Sequence, residues 1–279
     1  MQKAIEAVHK WIIDLINGLN GEGGNLTTPL EKYSEDIYEF VDKIVKNVTL
    51  PVAYTILALF FVTELYKMSL KTESMGSTSI GAENIFKLLF KVVICKTMLE
   101  STPLILKAIY SASIHLISGS ITVLKSIVVE KDELTKLLES VAPSTTLGFF
   151  GELVLLLLMF ISYLIVLIAV VIAGAMVVGR FVEIYVYYAI APIPLATLIS
   201  EEQSQIGKNF LKSFAAVCIQ GFLIYLVLAF FPVIFSALIK AQEGIETAGY
   251  ALQFIGFGFV LIMALFSTNK SAKSICNAM

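Results

Sequence analysis

Apolar residues in this chain are gathered into runs rather than dispersed along periodic faces. No charged residue occurs from Leu153 to Val178, from Ser213 to Ile239, or from Thr247 to Asn269. Crossing a hydrocarbon core of roughly 30 Å takes about 20 mostly apolar residues in a helix rising about 1.5 Å per residue. All three runs reach that length. A helix of a water-soluble domain keeps a polar face, so runs that are apolar all round predict membrane crossings.

The same pattern places five crossings, near 48–66, 86–110, 149–178, 214–235 and 249–268. Pro51 near the start of the first fits the opening turn of a helix. The second carries Lys87, Lys91, Lys96, Glu100 and Lys107 and is interrupted by Pro103. Charges at that depth are expected to face protein or a water-filled space. Lys96 and Glu100, four apart, share a helical face and are expected to pair; an interfacial helix is the competing placement. The third run exceeds one upright crossing and is expected to tilt or to extend beyond the bilayer. Its second half turns small, with Ala169, Ala173, Gly174, Ala175 and Gly179, which lets helices approach closely. The last two runs include Gln220, Gln253 and Gly256-Phe257-Gly258.

Polar segments flank these runs. Val8, Trp11, Ile12, Leu15 and Ile16 recur at helical spacing near the start, with Glu6, Lys10 and Asp14 between them. Such an amphipathic helix lies in the membrane interface, docks on a partner helix, or packs on its own chain. Gly18 to Pro29 breaks it, and a second amphipathic stretch through Tyr33, Ile37, Phe40, Val41, Ile44 and Val48 leads into the first crossing. Residues 111–146 form an amphipathic loop, charged from Glu130 to Glu139. The organisation is therefore 1–47 amphipathic, 48–110 two membrane helices, 111–146 extracytoplasmic loop, 147–269 membrane core, and 270–279 tail.

One segment departs from the pattern. Residues 180–200, RFVEIYVYYAIAPIPLATLIS, are apolar enough to enter a membrane but contain Pro192 and Pro194. Each proline removes a backbone donor and disfavours helix in the residue before it. Non-helical backbone is tolerated at membrane depth only where protein or a cavity shields it. The expectation is a re-entrant half-helix with an extended return, or a kinked full crossing. The fold class is thus all-α: a polytopic transmembrane helical bundle of about five spans plus one proline-broken re-entrant segment, preceded by amphipathic helices.

Composition agrees. Apolar residues make up 57% and charged residues 15%, with mean hydropathy +0.85, against about 45–50% and about 25% in soluble domains. A net charge of −2 gives no basic footprint for nucleic acid. Cys95, Cys218 and Cys276 show no CxxC or zinc spacing. Lys3 and Lys10 are not followed by an apolar stretch, so no cleavable signal peptide is expected. With the first segment outside, Lys67, Lys71, Lys87, Lys91, Arg180, Lys208, Lys212, Lys270 and Lys273 fall on the cytoplasmic side. The lysines of the other side are spread over longer segments, which count less toward orientation. The N-terminus is therefore expected outside and the C-terminus in the cytoplasm.

Catalytic chemistry is not indicated. His9 and His115 have no metal-binding neighbours at useful spacing, and HExxH, GxSxG and the phosphate-loop pattern are missing. No catalytic residue, cofactor or metal ligand is expected. The positive signal is Arg180 with Glu183, three apart on one face, followed by Tyr185, Tyr187 and Tyr188. Charges beside membrane segments are functional candidates, although a pair closing the end of a span is also common.

The run Gly179-Arg180-Phe181-Val182-Glu183-Ile184-Tyr185, continuing through Ala189-Ile190-Ala191-Pro192-Ile193-Pro194-Leu195-Ala196, resembles the signature region of the VirB/TrbL-type polytopic subunit of type IV secretion and conjugal-transfer systems. The match covers about twenty residues, and the layout from 48 to 268 is compatible with it. The large soluble extensions of some members are not expected here. The resemblance implies an inner-membrane subunit that assembles into a homo-oligomeric ring, a pentamer in the family. Such a ring is expected to help pass single-stranded DNA or protein cargo, with energy from partner ATPases. Arg180, Glu183, Tyr185, Pro192, Pro194, Lys96 and Glu100 are the translocation candidates. A secondary transporter with a discontinuous helix is the alternative, but it predicts a second broken helix that the sequence does not display. A lysis or immunity protein fits five spans poorly.

Overall fold

A computed structural model describes residues 7–8, 11, 25–75, 78–124, 149–241 and 247–278. Among these every regular element is helical, and no strand occurs. In chain order they are α1 (Leu30–Tyr33), α2 (Glu35–Ile44), α3 (Leu50–Met75), α4 (Thr78–Glu100), α5 (Thr102–Leu124), α6 (Phe149–Ile190), α7 (Pro192–Leu195), α8 (Ser204–Ala241) and α9 (Thr247–Ile275). The all-α expectation holds.

Local chemistry sets the boundaries. Ser34, extended at φ −155° and ψ 103°, caps α2 by accepting the Ile37 N–H at 3.4 Å, and Glu35 and Asp36 complement the positive end of the helix. A π-helical turn, Val45–Thr49, joins α2 to α3, with the Leu50 N–H bonded to the Val45 carbonyl. Pro51 follows at once; its ring opposes the carbonyl four residues back, and a widened turn relieves that clash. Pro103 likewise has no N–H for the Leu99 carbonyl, so the helix bends at Ser101, although the Ser101 N–H still bonds to the Thr97 carbonyl and the Ile105 N–H to the Ser101 carbonyl, and α4 gives way to α5.

Among the described residues, five helical stretches are long and apolar enough to cross a membrane: Glu35–Leu70, Thr102–Val123, Phe150–Ile190, Ser204–Phe231 and Ile255–Ile275. Their number matches the expectation. A bend at Ser101 divides 86–110, and α5, which holds its apolar C-terminal part, runs on into the segment assigned to the loop. The charged half, α4, is not among the five. The rest of that loop, 125–146, and most of the first amphipathic helix lie outside the described residues.

The proline-broken segment is shorter than 180–200. No proline occurs within Phe149–Ile190, so α6 continues unbroken through Arg180 to Ile190. Neither Pro192 nor Pro194 can supply a helical donor, and one turn of α7 and a 3-10 turn, Ala196–Ile199, follow. Backbone dihedrals stay near helical until Ser200, which is extended at φ −76° and ψ 133°.

The chain forms two compact units. The first comprises Pro29–Ala112, Phe181–Cys218 and Lys273–Met279. Its core gathers Ala53 and Leu57 of α3, Leu88, Cys95 and Leu99 of α4, and Leu195, Ala196 and Ile199 of the proline-broken segment. The second comprises Met1–Thr28, Ser113–Arg180 and Ile219–Ala272. There α6 buries Leu155, Met159, Val166, Ala169, Ala173 and Val177, a three-and-four spacing that keeps one face inward. Gly258 of α9 lies so close to α6 that an added Cβ would stand 2.5 Å from Ile165 Cγ2. Phe231 and Phe257 meet edge-on with ring centroids 6.1 Å apart.

Candidate functional site

In the first unit the two prolines end a helix inside a packed core. Pro192 and Leu195 are buried, and the polar backbone that the prolines expose is answered by hydroxyls. Thr197 Oγ1 donates to the Pro194 carbonyl at 2.8 Å and accepts the Gly207 N–H of α8 at 3.2 Å. Gly207 is required for that approach: an added Cβ would stand 2.8 Å from the Pro194 carbonyl oxygen and from Leu198 Cδ2.

Ser200 repeats the device one turn on. Its hydroxyl accepts the Gln203 N–H at 3.4 Å, in the turn that opens α8, and donates to Glu64 Oε1 at 3.0 Å. Glu64 Oε1 also accepts the Glu201 N–H at 3.3 Å. Glu64 belongs to the first crossing, Glu35–Leu70, yet is only 5% exposed. A buried carboxylate is tolerable when hydrogen bonds and opposite charge compensate its lost hydration. The start of α8 supplies two donors and its positive end. Lys67 stands 3.7 Å from Glu64 and 2.8 Å from Glu202, completing a chain of alternating charge.

The aromatic face of α6 is also engaged in this unit. Tyr185 is buried and donates to the Leu30 carbonyl at 2.7 Å. Tyr188, also buried, lies hydroxyl to hydroxyl with Tyr38 at 3.4 Å, and Phe181 stacks on Tyr33 at 3.6 Å between centroids. Tyr187 meets the rings of Phe210 and Phe214. The short helices before the first crossing thus dock on the protein's own aromatic cluster. Lys107 closes the dock, 2.6 Å from Glu31 and 5.3 Å from the Tyr38 ring centroid. Hydrogen bonding to the Lys107 ammonium holds the Glu31 carboxyl below its ordinary range.

Arg180 sits in the second unit. It is 2% exposed and donates from Nη2 to Ser113 Oγ of α5 at 3.4 Å. Its guanidinium lies across α8 at Gly221, where an added Cβ would run into Cζ and Nη1. Arginine suits such burial because its planar, weakly hydrated head lies flat against a helix. Glu183, three residues further along α6, is half-buried in the first unit. Lys96 and Glu100 pair at 3.8 Å as their spacing predicts, both exposed, and Glu100 accepts the Tyr54 hydroxyl at 3.2 Å.

The structure therefore gathers Tyr185, Pro192, Pro194, Lys96 and Glu100 in one unit and sets Arg180 in the other. Sequence reasoning passed over Glu64, Thr197, Ser200, Gly207 and Gly221. Glu64 did carry a signal, as the one acid in an otherwise uncharged run from Thr49 to Tyr66. The glycines and hydroxyls carried none, because their roles depend on a neighbour distant in sequence. No group of three or more metal-ligating side chains occurs among the described residues.

Comparison with known families returns one described as TrbL/VirB6 plasmid conjugal transfer like protein, matching residues 21–192. No curated protein and no solved structure matches the chain. The match takes in more than half of the chain, including the docking helices, Glu64, Arg180 and the aromatic face as far as Pro192. With its five apolar crossings, the chain is a multi-pass inner-membrane component of a conjugal-transfer (type IV secretion) apparatus, and it belongs to the TrbL/VirB6 family.

Proposed function

We propose that this chain is a channel and scaffold subunit of the apparatus, assembling with copies of itself into a ring that helps single-stranded DNA or protein cargo cross the cytoplasmic membrane. It does no covalent chemistry in this role; ATPases elsewhere in the machine supply the energy. The observation that carries the proposal is the family match over 21–192, which ends in the proline-broken segment. Two features support it. Among the described crossings, only Ser204–Phe231 has most of its most apolar 18-residue stretch buried (61%), so the other four present wide apolar surface to lipid or to neighbouring subunits. Along α6, Val171, Val178, Val182 and Val186 form such an exposed line, with Gly179 among them. Small and β-branched residues allow close helix packing in a membrane.

Arg180, Glu183, Tyr185, Pro192, Pro194, Lys96 and Glu100 act in this reading as structural residues of the conduit. The test is cross-linking of a transferring strand in donor cells. Formaldehyde is expected to capture that strand on this chain, and disulfide cross-linking at Val178→Cys to yield a ladder of homo-oligomers. Transferring DNA never captured on the chain, with only monomer at Val178→Cys, would refute the channel role.

A further inference from the structure

The start of the chain meets α6 at membrane depth. Trp11, the only tryptophan, packs on Tyr163 with ring centroids 5.7 Å apart and planes tilted by 49°. Val8, three residues before it on the same helical stretch, is 6% exposed. All three residues belong to the second unit. Ser162 and Tyr163 carry the only hydroxyls in the charge-free run from Leu153 to Val178, so Trp11 contacts that run at its one polar point.

Depth follows from length. At ~1.5 Å per residue the run from Leu153 to Val178 is about 38 Å long, and Tyr163 lies about 15 Å from its start. A hydrocarbon core of roughly 30 Å, fitted anywhere within the run, leaves Tyr163 at least about 7 Å below the nearer boundary. Trp11 is carried to that depth by its contact. A helix lying in the headgroup layer would not reach it.

The sequence around Trp11 is unsuited to lipid at such a depth. Lys3, Glu6, Lys10 and Asp14 recur at spacings of three and four, which predicts one charged stripe on the helix side away from Val8. Lys10 adjoins Trp11 and enters the membrane with it. Charges there face protein or water. The chain's own packing takes the side of Val8, while Trp11 stays 50% exposed. The stripe holds two bases and two acids, a balance that suits a path through which charged cargo passes without being gripped.

We infer that the segment around Val8–Trp11 is inserted into the membrane core against α6 and forms one wall of a water-filled path, with its charged stripe toward the water. This rests on the channel role proposed above and names an element that lines the channel.

The fluorescence of Trp11 reports its depth in the unsubstituted chain reconstituted into phosphatidylcholine vesicles. Lipid spin-labelled at mid-chain is expected to quench it more strongly than lipid spin-labelled at the headgroup. Equal or weaker quenching from mid-chain overturns the insertion. Tyr163→Ala is expected to shift the balance toward the headgroup label, and an unchanged balance overturns the contact with α6. A membrane-impermeant succinimidyl ester, supplied on both sides and read by peptide mass spectrometry, tests for water. It is expected to modify Lys10 within tenfold of the rate at Lys43, an exposed lysine of α2. A slower rate at Lys10 overturns the water-filled side. Formaldehyde capture of the transferring strand reads the channel role separately. A shallow Trp11 with the strand still captured overturns this inference alone, whereas loss of capture with a deep Trp11 overturns the channel role and the path with it.

Discussion

Glu64 and Ser200, 136 positions apart in sequence, meet at 3.0 Å through the Ser200 hydroxyl and one carboxylate oxygen. This bond ties the first crossing to the end of the proline-broken segment, where the backbone leaves helical geometry and α8 begins. Removing the acid leaves the buried Ser200 O–H and the part-buried Glu201 N–H without their acceptor. Glu64→Ala is expected to destabilise the purified protein by about 1–3 kcal/mol, the cost of stranding buried donors. Glu64→Gln keeps a carbonyl acceptor and is expected to lose less. Thermal unfolding in detergent followed by circular dichroism checks the order; equal stability of wild type and Glu64→Ala would remove the bond from the account.

Gly207 predicts a contrast between two glycines. Gly207→Ala drives a methyl toward the Pro194 carbonyl, whereas Gly174→Ala enters open space. The first is expected to cost about 1–3 kcal/mol by overpacking. The second is expected to be neutral or slightly stabilising, because alanine favours helix over glycine. The same unfolding experiment reads both.

Gly221 makes a parallel prediction in the second unit. Any side chain there displaces the Arg180 guanidinium. Gly221→Leu is expected to expel it from its buried place and to lower the yield of folded protein several-fold. A cysteine-reactive probe at Ser113→Cys, blocked in an otherwise wild-type background, is expected to react once Gly221 is enlarged.

The Glu31–Lys107 pair predicts an acid-sensitive dock. The folded-state pKa of Glu31 lies below its ordinary value. Its contribution is therefore fully present above the ordinary glutamate value of about 4.3 and is lost as pH falls through the depressed folded value. Protease sensitivity near Tyr33 is expected to be flat from neutral pH down to about 5 and to rise below that. Glu31→Gln is expected to be more sensitive at neutral pH and to lose the acid-dependent step.

Much of this was legible in the sequence. The uncharged run after Glu152 announced α6, and Pro192 marked its end, because chain length and missing backbone donors are local properties. The bend within 86–110 was legible from Pro103, but hydropathy alone does not tell which side of such a bend enters the membrane. Tyr185 and Tyr188 were visible as a cluster, but not that α1 and α2 would cover them. Arg180 was singled out with Glu183 as partner, while its guanidinium bonds to Ser113, on a helix that no local spacing connects to it. Glu64 went unremarked because its partners belong to a turn far along the chain.

On the proposed reading, the proline-broken segment and its Glu64 bond equip this subunit for conjugal transfer. The direct measurement is transfer frequency from a donor with the gene deleted in frame, complemented with wild type, with Pro192→Ala/Pro194→Ala, or with Glu64→Ala at matched membrane levels. The account predicts that deletion abolishes transfer without slowing growth, that wild type restores it, and that both variants insert yet restore at most a tenth of it. Normal transfer from the deletion donor, or full restoration by both variants, would contradict it.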